Sequence, residues 1–171
     1  MSDPLDKITE GKGLLGKIRN TLAGFMGYVD RGNRRDADKL LREQIAGQYE
    51  EQWSRVSKLQ RQLISAGQLE YVDDLEEGAI NLRIFADRIR RAAYGYAGFF
   101  NAVRVNSDEL EKLYAFDQAL LDNVDDLAHA IDNVEASIAT NDLLASIGQM
   151  VILCQGANDT YDKRKSVILE I

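Results

Sequence analysis

The chain holds little that would interrupt a helix and little that performs chemistry. Pro4 is the only proline in 171 residues, so from residue 5 onward no ring fixes φ or removes a backbone donor. Cys154 is the only cysteine, which excludes an internal disulfide and suits a reducing cytoplasm. His129 is the only histidine, so no histidine-bearing metal motif can recur. No run of about 18 apolar residues occurs, which excludes a bilayer-spanning helix. The opening "MSDPLDKITE" carries acids where a secretion signal needs a basic region. No segment alternates apolar and polar residues with a period of two, which excludes half-buried strands.

Charge is present but unevenly placed. The net charge is −7, yet residues 1–35 are net positive, with seven Lys/Arg against four acids, so the remainder is strongly acidic. An acidic body cannot offer the clustered positive surface that nucleic acid requires. The positive end also carries "GLLGKIRNTLAGFMGYVD", residues 13–30. At helical spacing Leu14, Leu15, Ile18, Leu22, Phe25, Met26 and Val29 form one apolar face, and Lys17, Arg19 and several glycines form the other. Each interior glycine costs about 1 kcal/mol relative to alanine, so this helix should form poorly alone. That suits a helix that orders on a membrane interface, on a partner, or against its own body. Near an anionic leaflet Lys12, Lys17 and Arg19, backed by Arg31, Arg34 and Arg35, add about 1 kcal/mol each.

Beyond the linker-like "DRGNRR" the pattern changes to long heptad stripes. Helix one is expected over about 33–66, with Leu41, Ile45, Tyr49, Val56, Leu59 and Leu63 inward, Trp53 and Ile64 widening the stripe, and Gly67 as its stop. Helix two is expected over 68–104, with Val72, Leu75, Ala79, Leu82, Ala86, Ile89, Ala93, Tyr96, Phe100 and Val103 inward. Its alanines at 79, 86 and 93 would let a neighbour approach. Helix three, 108–139, starts after Ser107, a good N-cap. Its stripe of Leu110, Leu113, Leu120, Val124, Leu127, Ile131, Val134 and Ile138 is broken only by Asp117. Helix four, capped at Asn141, carries Leu143, Ile147, Met150, Cys154, Ala157, Tyr161 and Ile168. Short connections and a 3.5-residue period predict an all-α fold: an antiparallel up-down-up-down four-helix bundle preceded by a short amphipathic N-terminal helix. The domains are then residues 1–32, amphipathic helix and linker, and 33–171, the bundle. Pairing helix two against helix three sets the basic segment Arg83–Arg91 opposite Asp122, Asp125 and Asp126.

Candidate chemistry is sparse. Asp122, Asp126, His129 and Asn133 share a polar stripe that reads as a metal or general-base site, or as a solvated acidic face. Cys154 reads as a small core residue, with a Cys154–His129 dyad as the catalytic alternative. Asp117 is a buried-polar candidate, either functional or fixing helix register. Tyr94, Tyr96, Phe99 and Phe100 in "YGYAGFF" form either a partner surface or the cap of the bundle end. The glycines of "GKGLLG" follow no expected strand, so no phosphate loop is read.

The plan of a short amphipathic helix and then a helical hairpin resembles the phage-shock and ESCRT-III-type membrane-remodelling proteins, with shorter hairpin arms here. That likeness implies a membrane-surface role and assigns no residues. The expectation is a non-catalytic scaffold, without cofactor or metal, cytoplasmic or peripheral at the inner face of the membrane. It would act through residues 13–29 on an anionic membrane or a protein partner, and could form homo-oligomers. The alternatives are a self-associating soluble adaptor whose first helix is permanently packed, and a small-molecule or metal-binding bundle.

Overall fold

The computed structural model describes residues 34–92 and 107–169, with side chains over 38–92 and 115–166. Four α-helices pack against one another: α1 (Arg34–Ser65), α2 (Val72–Arg91), α3 (Ser107–Ser137) and α4 (Leu143–Leu169). A 3₁₀ turn, Leu69–Tyr71, leads into α2. Among the described residues there is no strand. The ends of α1, α3 and α4 fall close to those expected. The N-terminal helix at 13–29 and the extension of helix two to 104 lie outside the described residues.

The stops follow from local chemistry. Gly67 adopts φ 74°, the left-handed conformation that glycine takes without Cβ strain. Its N–H donates to Ile64 O (3.1 Å) and that of Gln68 to Leu63 O (2.9 Å), which completes a Schellman closure of α1. Ala139 takes φ 66° after α3, without glycine's freedom. The cap of α4 is one residue later than expected: Asp142 O accepts the Ser146 N–H (3.0 Å), and Thr140 Oγ1 accepts the Asp142 N–H (3.3 Å).

Bonds between helices give their directions. Gln60 pairs with Glu76 and Glu50 with Arg90, so α1 and α2 run opposite ways. Asn123 reaches Leu153 O and Ser137 meets Ser146, so α3 and α4 do likewise. Across the hairpins the numbers rise together. Tyr49 donates to Leu120 O (2.9 Å) and Arg55 to Ala128 O (3.3 Å), making α1 and α3 parallel neighbours. Gln155 donates to Glu77 and Asn158 to Asn81 O, making α2 and α4 parallel neighbours.

This corrects the expected pairing of α2 with α3. Arg88 turns instead to Asn158 and Asp162 of α4, and Arg90 to Glu50 of α1. The physical reason is chain length. Residues 92–106 separate the two helices and can reach about 50 Å, so nothing forces them to be adjacent. The connections at 66–71 and 138–142 allow no such freedom.

The core is largely aliphatic, with Leu41, Ile45, Leu63, Leu75, Leu82, Ile89, Leu120, Leu127, Val134 and Ile147 buried. Tyr49, Phe85 and Tyr161 add an aromatic layer, their successive ring centroids 4.3 and 6.1 Å apart. Trp53 and Ile64, expected to widen the α1 stripe, are 37% and 52% exposed. A seam at heptad positions is too narrow to take them in. α4 lies close against α2 at Gly78, where a Cβ would stand 3.1 Å from Met150 Cε. Ala79 and Ala86 are buried as expected; Ala93 lies outside the described residues.

Candidate functional site

The most unusual chemistry in the described body is a set of charges inside it. Asp38 and Arg42 of α1, Asp117 of α3 and Arg164 of α4 are all buried, Asp117 and Arg164 completely. Each sits where its helix's stripe faces inward. In α4 the positions 150, 154, 157, 161 and 164 follow one another at alternating spacings of four and three, so the packing that buries Met150 and Tyr161 also buries Arg164.

The guanidinium of Arg164 joins two helices. Its Nε donates to Asp117 Oδ1 (2.7 Å) and its Nη2 to Asp117 Oδ2 (3.2 Å), a forked pair, while Nη2 also reaches Asp38 Oδ1 (2.8 Å). The second oxygen of Asp38 accepts from Arg42 Nε (2.7 Å), and Arg42 Nη1 donates to Ile89 O in the last turn of α2 (3.3 Å). All four helices are thereby tied into one network. Among the described residues, two carboxylates and two guanidinium groups balance in charge. Burial pushes the Asp117 carboxyl above its ordinary value. The Arg164 and Arg42 guanidinium groups pull it back, and Asp38 adds to the rise.

Of the candidates read from the sequence, only Asp117 belongs to this cluster. Asp38, Arg42 and Arg164 were missed. Asp38 and Arg42 were legible as an i,i+4 pair of opposite sign on an apolar stripe, and Arg164 as a cation at a core position facing Asp117.

The polar stripe of α3 is not gathered into a site. Asp122 is half-buried and accepts from Gln118 Nε2 (2.8 Å), whereas Asp126, His129 and Asn133 are exposed. Among the described residues no group of His, Cys, Asp and Glu is placed to hold a metal. Cys154 is fully buried and His129 is at the surface, so the dyad is not assembled. Burial pushes the Cys154 thiol up to about 12, the opposite of what a nucleophile needs. The Tyr49 hydroxyl is raised as well, by burial first and then by Cys154.

The surface candidates Leu14, Leu15, Lys17, Ile18, Arg19, Leu22, Phe25, Met26 and Val29 lie outside the described residues, as do Tyr94, Tyr96, Phe99 and Phe100. No described helix is long and apolar enough to cross a membrane. Comparisons with family models, curated proteins and solved structures find no match to the chain.

Proposed function

We propose that the protein is a non-catalytic scaffold that attaches to an anionic membrane surface through residues 13–29. The helical body, read in full as an up-down-up-down bundle behind an amphipathic helix, serves as its platform on the cytoplasmic face. The observation that carries this reading is the coincidence, within residues 1–35, of a broad apolar face with a net positive charge, while the rest is acidic. An apolar face buries itself in the headgroup boundary and basic residues draw it to anionic lipid. The acidic body would be repelled by that lipid and would stand away from it.

Co-sedimentation with phosphatidylserine-containing and neutral vesicles, at low and high salt, tests the proposal. The intact chain should pellet with anionic vesicles only and release as salt rises. A Leu22→Asp, Phe25→Asp variant should remain in the supernatant. An intact chain that stays in solution, with a variant that melts well below it, would assign residues 13–29 to the core and replace the membrane reading with a soluble adaptor.

A further inference from the structure

The outward face of α2 has a symmetry that points to a second copy of the chain. Asp73, Ile80, Ile84 and Arg91 are all exposed, with Ile80 and Ile84 at 48% and 47%. Successive spacings of seven, four and seven residues place them on one line along the helix, within about 40° of each other at 3.6 residues per turn. The line spans about 27 Å at 1.5 Å per residue. It faces away from α1 and α4, against which the opposite side of α2 packs through Leu75, Gly78, Leu82 and Phe85.

Charge along this helix changes sign at its middle. Asp73, Asp74, Glu76 and Glu77 occupy the first half, and Arg83, Arg88, Arg90 and Arg91 the second, with Asp87 the exception. Asp73, Asp74, Arg83 and Arg91 enter no ion pair among the described residues. Laid antiparallel on a copy of itself about Leu82, the helix sets Ile80 against the other copy's Ile84 and Asp73 against its Arg91. A two-fold axis repeats both contacts. Apolar side chains then meet at the centre and opposite charges at the two ends, the usual anatomy of a specific interface. The one like-charged opposition is Glu77 against Asp87, and Glu77 is turned towards Gln155 of its own α4.

We propose that this face is a homodimer interface, with α2 packed antiparallel on α2 of a second copy, Ile80 and Ile84 at the axis and Asp73–Arg91 pairs at the ends. It does not depend on the membrane reading. A parallel arrangement would oppose like charges along the whole helix. A partner of one charge sign would satisfy only half of the face. The self-complementary pattern is what selects a second copy.

Sedimentation equilibrium of the full chain from about 1 μM to about 1 mM tests it. The expected mass rises from 19.2 kDa towards twice that value. Ile80→Glu with Ile84→Glu, at exposed positions where the fold tolerates charge, should weaken association about a hundredfold while circular dichroism and melting stay unchanged.

Asp73→Arg alone and Arg91→Asp alone should each weaken it about tenfold, because symmetry repeats the clash at both ends. An equimolar mixture of those two single variants should regain association. Each then supplies the charge that the other lacks. Single variants that fall below the wild type, with a mixture that returns to it, mark the antiparallel pairing, because a parallel one already opposes like charges in the wild type.

A chain that stays monomeric throughout overturns the proposal, as does a dimer indifferent to Ile80 and Ile84. A monomer that loses thermal stability in the isoleucine variant also overturns it, and assigns the face to cover by residues 13–29 of the same chain. Vesicle binding is measured separately through Leu22 and Phe25, so failure of either proposal is read without the other.

Discussion

The two ends of the helical body are held together by different means. At one end the chain closes both hairpins, through 66–71 and 138–142, and the nearby core is aliphatic, with Leu59, Leu63, Leu75, Val134 and Leu143 buried. At the other end the described helices are joined by no short connection, and Asp38, Arg42, Asp117 and Arg164 tie them through buried charge. The difference is instructive. Apolar packing tolerates small slips because one methyl group resembles another. A forked guanidinium–carboxylate pair has one geometry, and missing it leaves a bare charge in a dry interior. A covalent turn sets the register at one end. At the other end the charge network sets it.

The largest expected effect breaks the charged end. Arg164→Met leaves the Asp117 carboxylate buried without its forked partner, and should cost about 3–5 kcal/mol in urea unfolding. Adding Asp117→Leu should recover most of that loss, since Asp38 keeps Arg42 at 2.7 Å. If the double variant stayed as unstable as the single one, the residues would act by volume and not by charge.

Alkaline pH comes next. Burial pushes the Cys154 thiol from its ordinary 9.0 up to about 12 and raises the Tyr49 hydroxyl as well. The folded chain therefore keeps these protons at a pH where the unfolded chain releases them. Their contribution is complete below about pH 8 and falls as pH rises past about 9. Cys154→Ala should shift the start of alkaline unfolding upward, followed by circular dichroism across a pH series.

The turn end yields smaller changes. Gly67→Ala meets no neighbouring atom but keeps φ 74°, so backbone strain alone should cost about 1 kcal/mol. Ala139→Gly, at φ 66°, should stabilise by about 0.5–1 kcal/mol for the converse reason. Equal melting temperatures for these two variants would show that left-handed backbone strain at the two turns contributes nothing measurable to stability.

Much of this was legible residue by residue. Gly67 was read as the stop of α1 because only glycine enters that conformation freely, and the stripes of α1, α3 and α4 name most of the buried core. Asp117 stood out as an acid on an apolar stripe. Arg164 was legible in principle, at a core position of α4, but the polar run "GANDTYDKRK" around it hid the periodicity. Phe85 was missed because it flanks the stripe of α2 and is buried only through the aromatic layer with Tyr49 and Tyr161.

The sequence by itself determined that the described chain is helical, where α1 and α3 stop and which face of each helix is apolar. These depend on neighbours three or four residues apart. Which helices are neighbours was decided only in three dimensions. Heptad seams are alike enough that α2 fits α4 or α3 equally well by pattern, and the selection rests on pairs far apart in sequence. Gly78 lets α4 approach, Arg88 reaches Asp162, and Arg164 finds both Asp117 and Asp38.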